Sequence, residues 1–185
     1  GTGLIPQDAI VKTTTKLGTA EAVDTIYVKH VSGGISEVAL KSYDQRRISF
    51  QGTEKDVIWL DEEPPLDIYV ECLTRTMDTT GKSSGIIMLT FTPLMGMSET
   101  VLSFLQGGEV KESSEGQKSV TTAGWDDVPH LSAETKKALL ESIPPFQRDA
   151  RSKGIPQLGA GAIYPIPESD ILVDDFKIPD HWPRA

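Results

Sequence analysis

The spacing of apolar positions changes character along the chain, and each change marks an element. Residues 25–31 (TIYVKHV) and 37–43 (EVALKSY) are rich in β-branched and aromatic side chains with partial alternation, and Ser32, Gly33 and Gly34 lie between them. That pattern predicts a β-hairpin. Residues 47–50 (RISF) follow, closed by Gln51, Gly52 and Thr53. Residues 56–60 (DVIWL) then carry an apolar run that ends abruptly in Asp61, Glu62 and Glu63. A run without alternation predicts a strand in a sheet covered on both faces. Pro64 and Pro65 stop that strand, and residues 66–77 place Leu66, Tyr69, Val70, Leu73 and Met77 at helical spacing. Residues 81–85 (GKSSG) read as a loop, and residues 86–91 (IIMLTF) as a second buried strand broken at Thr92 and Pro93. Strand, helix and strand over this length predict a βαβ crossover in a parallel sheet.

The flanks are less regular. The first twenty residues show no strong hydrophobic period. Residues 98–104 suggest a short helix with Glu99 in its first turn, residues 107–118 a polar mobile loop, and residues 120–122 a further strand. Ser132 can cap a helix running to about Ser142, ended by Pro144 and Pro145. Residues 148–167 are dense in Gly and Pro and lead into the acidic residues 170–175, which together read as a linker or small subdomain. No internal repeat is visible.

Composition narrows the class. A chain of 185 residues with 38% hydrophobic and 24% charged residues can build one ordinary core, which excludes global disorder. No apolar stretch reaches the roughly 18 residues a membrane helix needs, and the N-terminus lacks the layout of a secretory signal. With one cysteine, Cys72, and no Asn, the chain can form neither an internal disulfide nor a glycosylation sequon. It reads as a soluble protein of a reducing compartment. A net charge of −9 gives no global field to attract nucleic-acid phosphates, so a nucleic-acid role needs a local patch or another domain.

The richest chemistry lies in residues 57–63 (VIWLDEE), an apolar strand followed by acids, the pattern called Walker B in nucleotide hydrolases. A buried strand delivers Asp61 rigidly to the carboxyl edge of the sheet, where it can hold Mg²⁺ through water. The next carboxylate, Glu62, can orient or deprotonate an attacking water. A strand that simply ends in an acidic loop has the same pattern. Thr90, Phe91, Thr92 and Pro93 end the next strand, where a hydroxyl can contact that water or Glu62. The plain alternative is a Thr-Pro strand terminator.

Other features carry less. A phosphate-cradling loop is not encoded: for Gly81, Lys82 and Ser83 to belong to one, residue 76 would have to be Gly, and it is Thr76. Gly159 and Gly161 fail the dinucleotide pattern because Tyr164 stands where a third Gly belongs. His30, His130 and His181 have no metal spacing, and Cys72 has no evident activating partner. Trp125, Asp126, Asp127 and Trp182 suit either surface anchoring or a small core. Arg46, Arg47, Arg148 and Arg151 could approach phosphates or could be ordinary solvated or paired arginines.

Taken together, residues 41–65 (KSYDQRRISFQGTEKDVIWLDEEPP) and 90–101 (TFTPLMGMSETV) resemble the packaging ATPase of tailed-phage large terminase subunits. Residues 124–131 and 150–161 extend the resemblance toward the segment that leads to the nuclease domain in that family. The resemblance implies an α/β fold with a mainly parallel P-loop NTPase-type (ASCE) sheet, incomplete at its N-terminal side, with a small linker subdomain. It divides the chain into a partial ATPase core over residues 1–118 and a linker subdomain over residues 119–185. It implies ATP and Mg²⁺ as cofactors, with Asp61 associated with the metal and Glu62 catalytic. Thr90, Phe91, Thr92 and Pro93 become the coupling motif, with Thr92 the preferred sensor. Double-stranded phage DNA, the portal protein and the small terminase subunit are the implied partners, in the bacterial cytoplasm. On the same resemblance the phosphate loop lies before Gly1 and the nuclease acids beyond Ala185, with Asp170, Asp174 and Asp175 left as linker. The chain is then expected to be a fragment, inactive alone and open to self-association. The alternatives are a non-catalytic prophage remnant or interaction module, and a helicase of related sheet, whose further motifs are not found.

Overall fold

The computed structural model describes residues 3–19, 21–77, 85–104 and 118–156. The chain divides into two compact units, Gly1–Thr53 and Glu54–Ala185.

In the first unit, strands β1 (Ile10–Thr15), β2 (Val23–Lys29) and β3 (Ile35–Ala39) form an antiparallel sheet in that order. The predicted hairpin is β2 and β3, paired from Thr25↔Ala39 to Lys29↔Ile35. Its turn closes through the Gly33 N–H to the His30 carbonyl at 3.0 Å, with Gly33 at φ +88°, a region glycine enters without a Cβ penalty. Strand β1 was not legible as a strand, because its IVKTTT sequence is mostly exposed and has no buried alternation. What holds it is pairing with β2, including Lys12 opposite Tyr27 with the ammonium 4.3 Å from the ring centroid. The RISF segment is a 3₁₀ turn, Arg47–Phe50, preceded by another at Tyr43–Gln45 that Ser42 caps.

The second unit opens with β4 (Val57–Asp61), α1 (Leu66–Arg75) and β5 (Ile86–Thr90), and β4 pairs with β5 in parallel as the βαβ reading predicts. Helix α1 is tied to both strand starts: the Lys55 N–H donates to the Arg75 carbonyl at 2.8 Å and the Gly85 N–H to the Thr76 carbonyl at 2.7 Å. Among the described residues the buried apolar side chains include Leu60, Pro64, Ile68, Tyr69, Cys72, Val101 and Ala150, and the Tyr69 ring lies 5.6 Å from that of Phe104.

Two expectations here are corrected. Among the described residues β4 and β5 are covered on one face only: Leu60 is buried, whereas Val57, Trp59, Ile86 and Met88 are exposed. On α1, the row facing inward is Ile68 and Cys72 with Tyr69, while Val70, Leu73 and, beyond the end of the helix, Met77 are exposed. The helix carries two apolar rows, and helical spacing alone does not choose between them.

Farther along, the short helix expected over residues 98–104 is α2 (Glu99–Leu102), with Glu99 in its first turn and Ser98 as its cap. Residues 120–122 make no strand; Val120 forms an isolated bridge. A 3₁₀ turn at Trp125–Asp127 precedes α3 (Ala133–Ser142), whose cap is the Ser132 hydroxyl accepting from the Thr135 N–H. The stretch read as linker from Arg148 onward begins instead as a helix, α4 (Arg148–Lys153). Local signals outweigh the Gly and Pro content: Pro145 starts the preceding 3₁₀ turn, Asp149 and Lys153 pair one turn apart at 2.9 Å, and Gly154 closes the helix at φ +70°. The expected loops over residues 81–84 and 107–117, and the linker beyond residue 156, lie outside the described residues. Among the described residues no helix is long and apolar enough to cross a membrane.

Two expected outcomes follow from these contacts. A Cβ on Gly85 would stand 2.7 Å from the Lys55 carbonyl oxygen and 2.8 Å from that of Asp56. Gly85→Ala therefore lowers stability by about 2 kcal/mol in denaturant unfolding. Separately, Lys136, 2.9 Å from Asp126, holds that carboxyl below its usual range by hydrogen bond and charge. A depressed folded value means that the pair stabilises above the ordinary carboxylate range and is lost as pH falls through the folded value. Thermal melts from about pH 6 to about pH 3 should thus show a shallower acid dependence in Lys136→Met than in the parent.

Candidate functional site

The carboxyl ends of β4 and β5 converge on a short run of hydrogen-bonding side chains. The parallel ladder is in register from Val57↔Ile86 to Asp61↔Thr90. Because side chains alternate with a period of two, Trp59 and Asp61 share one face of the pair, and Thr90 stands beside Asp61 on that face. There the Trp59 Nε1–H donates to Thr90 Oγ1 at 2.7 Å, and Thr90 Oγ1 donates to Asp61 Oδ1 at 2.9 Å. An indole N–H can only donate and a hydroxyl has one proton, so the direction runs from Trp59 through Thr90 to the carboxylate.

One residue on, the Glu62 N–H donates to the Thr90 carbonyl at 2.8 Å, extending the ladder past the end of β4. Glu62 nonetheless adopts φ +65°, the left-handed region, which costs a side-chain-bearing residue about 1–2 kcal/mol. The turn that follows leads into Pro64 and Pro65, which have no N–H to continue pairing. The carboxylates of Asp61 and Glu62 are both on exposed residues. In the Thr-Pro break, Thr90 is hydrogen-bonded to Asp61, Phe91 is half-buried, Thr92 is exposed and Pro93 is buried.

A third acid was passed over in the sequence. The Ser98 hydroxyl donates to Glu63 Oε1 while accepting from the Val101 N–H at 3.2 Å, so one serine caps α2 and grips the acidic turn. Next to it the buried Thr100 hydroxyl donates to the Pro64 carbonyl at 2.9 Å. These bonds fasten the turn after β4 to the start of α2. Glu63 Oε2 is buried without a hydrogen-bond partner. The signal in the sequence was the cap itself, since a serine fixed at the start of α2 has a hydroxyl proton to give elsewhere.

Other candidates settle into structural roles. Arg148 Nε donates to the Ile143 carbonyl at 3.1 Å, at the end of α3, and Arg151 Nε to Gln147 Oε1 at 3.2 Å. Cys72 is fully buried. His30 Nδ1 lies 2.7 Å from Ser32 Oγ within the hairpin turn, and Arg46 takes φ +60° between the two 3₁₀ turns. Asp126 belongs to the Lys136 pair. Lys82, Ser83, Gly159, Gly161, Asp170, Asp174, Asp175, His181 and Trp182 lie outside the described residues. Among the described residues no three His, Cys, Asp or Glu side chains gather into a metal cage. One or two exposed carboxylates suit a hydrated Mg²⁺ that also takes oxygens from a phosphate ligand, and do not suit an ion held by protein alone.

The second unit therefore carries a βαβ element with a hydrogen-bonded acidic edge at the carboxyl ends of parallel strands, the place where open α/β proteins meet ligands. The family model described as terminase large subunit, T4likevirus-type, N-terminal, matches residues 1–171. The chain belongs to the terminase large subunit family. It is 40% identical to the terminase large subunit of Salmonella phage P22 over 187 aligned residues, covering 98% of this chain and 36% of that protein. It is 42% identical to the terminase large subunit of Enterobacteria phage LP7 over 118 residues, covering 64% of this chain and 23% of that protein. The chain thus spans about a third of the length of the P22 relative. No solved structure matches it.

The backbone at Glu62 generates its own test. Glu62→Gly removes the Cβ from a left-handed position and should leave the melting temperature equal or higher. Glu62→Val, which adds a branched Cβ there, should lower it; both are read by calorimetry.

Proposed function

We propose that Asp61 and Glu62 are the acidic part of an ATP-hydrolysing site, and that this chain is part of a terminase motor that couples hydrolysis to movement of phage DNA into the procapsid. The observation that carries the reading is the Trp59–Thr90–Asp61 hydrogen-bonded edge with Glu62 strained beside it. Left-handed backbone at side-chain-bearing residues is enriched at functional sites. Family membership supports the same reading.

In this reading the sheet is of P-loop (ASCE) type, residues 1–118 form part of the motor core and residues 119–185 a linker subdomain. Asp61 would face Mg²⁺ through water, and Glu62 would hold the attacking water and accept its proton. Mg²⁺, entering with ATP, supplies neutralisation of the phosphate charge. Thr90 links the acid to the Phe91, Thr92 and Pro93 segment, a route by which the state of the site reaches the strand end. Double-stranded DNA, the portal protein and the small subunit are the proposed partners of the complete subunit, in the host cytoplasm.

Mg²⁺-dependent ATP hydrolysis should be measured on the chain and on a subunit of the relatives' full length. Turnover is expected in the longer protein, with Glu62→Gln lowering kcat about 100-fold or more and Asp61→Ala abolishing the response to Mg²⁺. A Glu62→Gln variant that hydrolyses like the parent overturns the assignment. No hydrolysis in either form would instead mark a non-catalytic module.

A further inference from the structure

Trp59 is poorly explained by packing. It sits on an apolar run, yet 61% of it is exposed, on the face of the sheet that also exposes Val57, Ile86 and Met88. Hydrophobic burial accounts for little of so open an indole. What the side chain does make is a short hydrogen bond, 2.7 Å, to Thr90 Oγ1. A threonine hydroxyl at an exposed strand end would otherwise be free to turn its proton toward water or toward either neighbouring acceptor. Once the indole N–H occupies one of its acceptor positions, its single proton is directed at Asp61 Oδ1, 2.9 Å away. That bond ties one oxygen of the carboxylate to the neighbouring strand and narrows the orientations open to it.

We propose that Trp59 is a positioning residue for Asp61, acting through the Thr90 hydroxyl to fix the carboxylate in the orientation that receives the divalent cation. This rests on the reading of Asp61 as the metal-facing acid. The register makes the arrangement specific: Trp59 and Asp61 are two residues apart on β4, and Thr90 is the cross-strand partner of Asp61. A phenylalanine at residue 59 would keep the ring and lose the N–H. A valine at residue 90 would keep the shape and lose the relay.

Two measurements test it. First, hydrogen exchange of the indole N–H groups of the 185-residue chain is followed by NMR, with the Trp59 signal assigned by its loss in Trp59→Phe. Protection of that proton should fall in Thr90→Val and persist in Thr90→Ser; unchanged protection in Thr90→Val overturns the proposal. Second, in the full-length subunit, Trp59→Phe and Thr90→Val should each raise the Mg²⁺ concentration for half-maximal hydrolysis about 10-fold. The double variant should be no worse than the worse single, because both act through one chain. Thr90→Ser should restore the parental Mg²⁺ dependence, which a merely structural loss would not predict. If Asp61→Ala abolishes the Mg²⁺ response while Trp59→Phe and Thr90→Val leave it at the parental value, positioning is wrong and the site reading stands. If Asp61→Ala hydrolyses like the parent, the site reading itself has failed.

Discussion

The candidate site depends on one ladder, the in-register parallel pairing of β4 with β5. Side chains on a strand alternate faces, so a slip of one residue would send Asp61 and Thr90 to opposite sides and break the link from Trp59. Parallel pairing needs a crossover, and α1 supplies it, with the Arg75 and Thr76 carbonyls taken by N–H groups at the starts of the two strands. Gly85 belongs to the same constraint, since its missing Cβ lets the start of β5 approach the Lys55 and Asp56 carbonyls. The register at one end of the strands and the acids at the other are thus parts of a single arrangement.

The far end is fastened differently. Pro64 and Pro65 have no N–H with which to continue the ladder, and the turn is gripped from the side by Ser98 and Thr100. Two hydroxyls at the start of α2 therefore fix the acidic turn, and the Ser98 hydroxyl joins the cap of α2 to the third acid by accepting from the Val101 N–H and donating to Glu63. The left-handed backbone at Glu62 is tolerated because both of its flanks are held: the ladder before it and the Glu63 and Pro64 contacts after it.

Elements defined by local signals were legible in the sequence. The hairpin, with two glycines in its turn, the serine cap of α3, and the strand, helix and strand order all followed from nearest-neighbour chemistry. What failed required knowledge of partners. Strand β1 has no pattern of its own and exists by pairing with β2. The inward row of α1 could not be chosen from spacing, since Ile68 with Cys72 and Val70 with Leu73 are equally helical pairs. Helix α4 was hidden by a composition argument over a stretch whose first six residues carry good local helix signals. Asp61 and Glu62 stood out because an acid after an apolar run is conspicuous. Trp59 and Glu63 did not, because an indole donor or a third carboxylate has meaning only when the neighbouring strand or helix is in place.

Cys72 is the single cysteine of the chain, and its side chain on the inward row of α1 is wholly enclosed. Thiol reagents reach it only in molecules whose helix has opened, so the rate of modification under native conditions measures the free energy of that opening and bypasses the acidic edge altogether. Nature has thereby placed a built-in label for crossover integrity at a position where labelling the intact molecule is sterically forbidden.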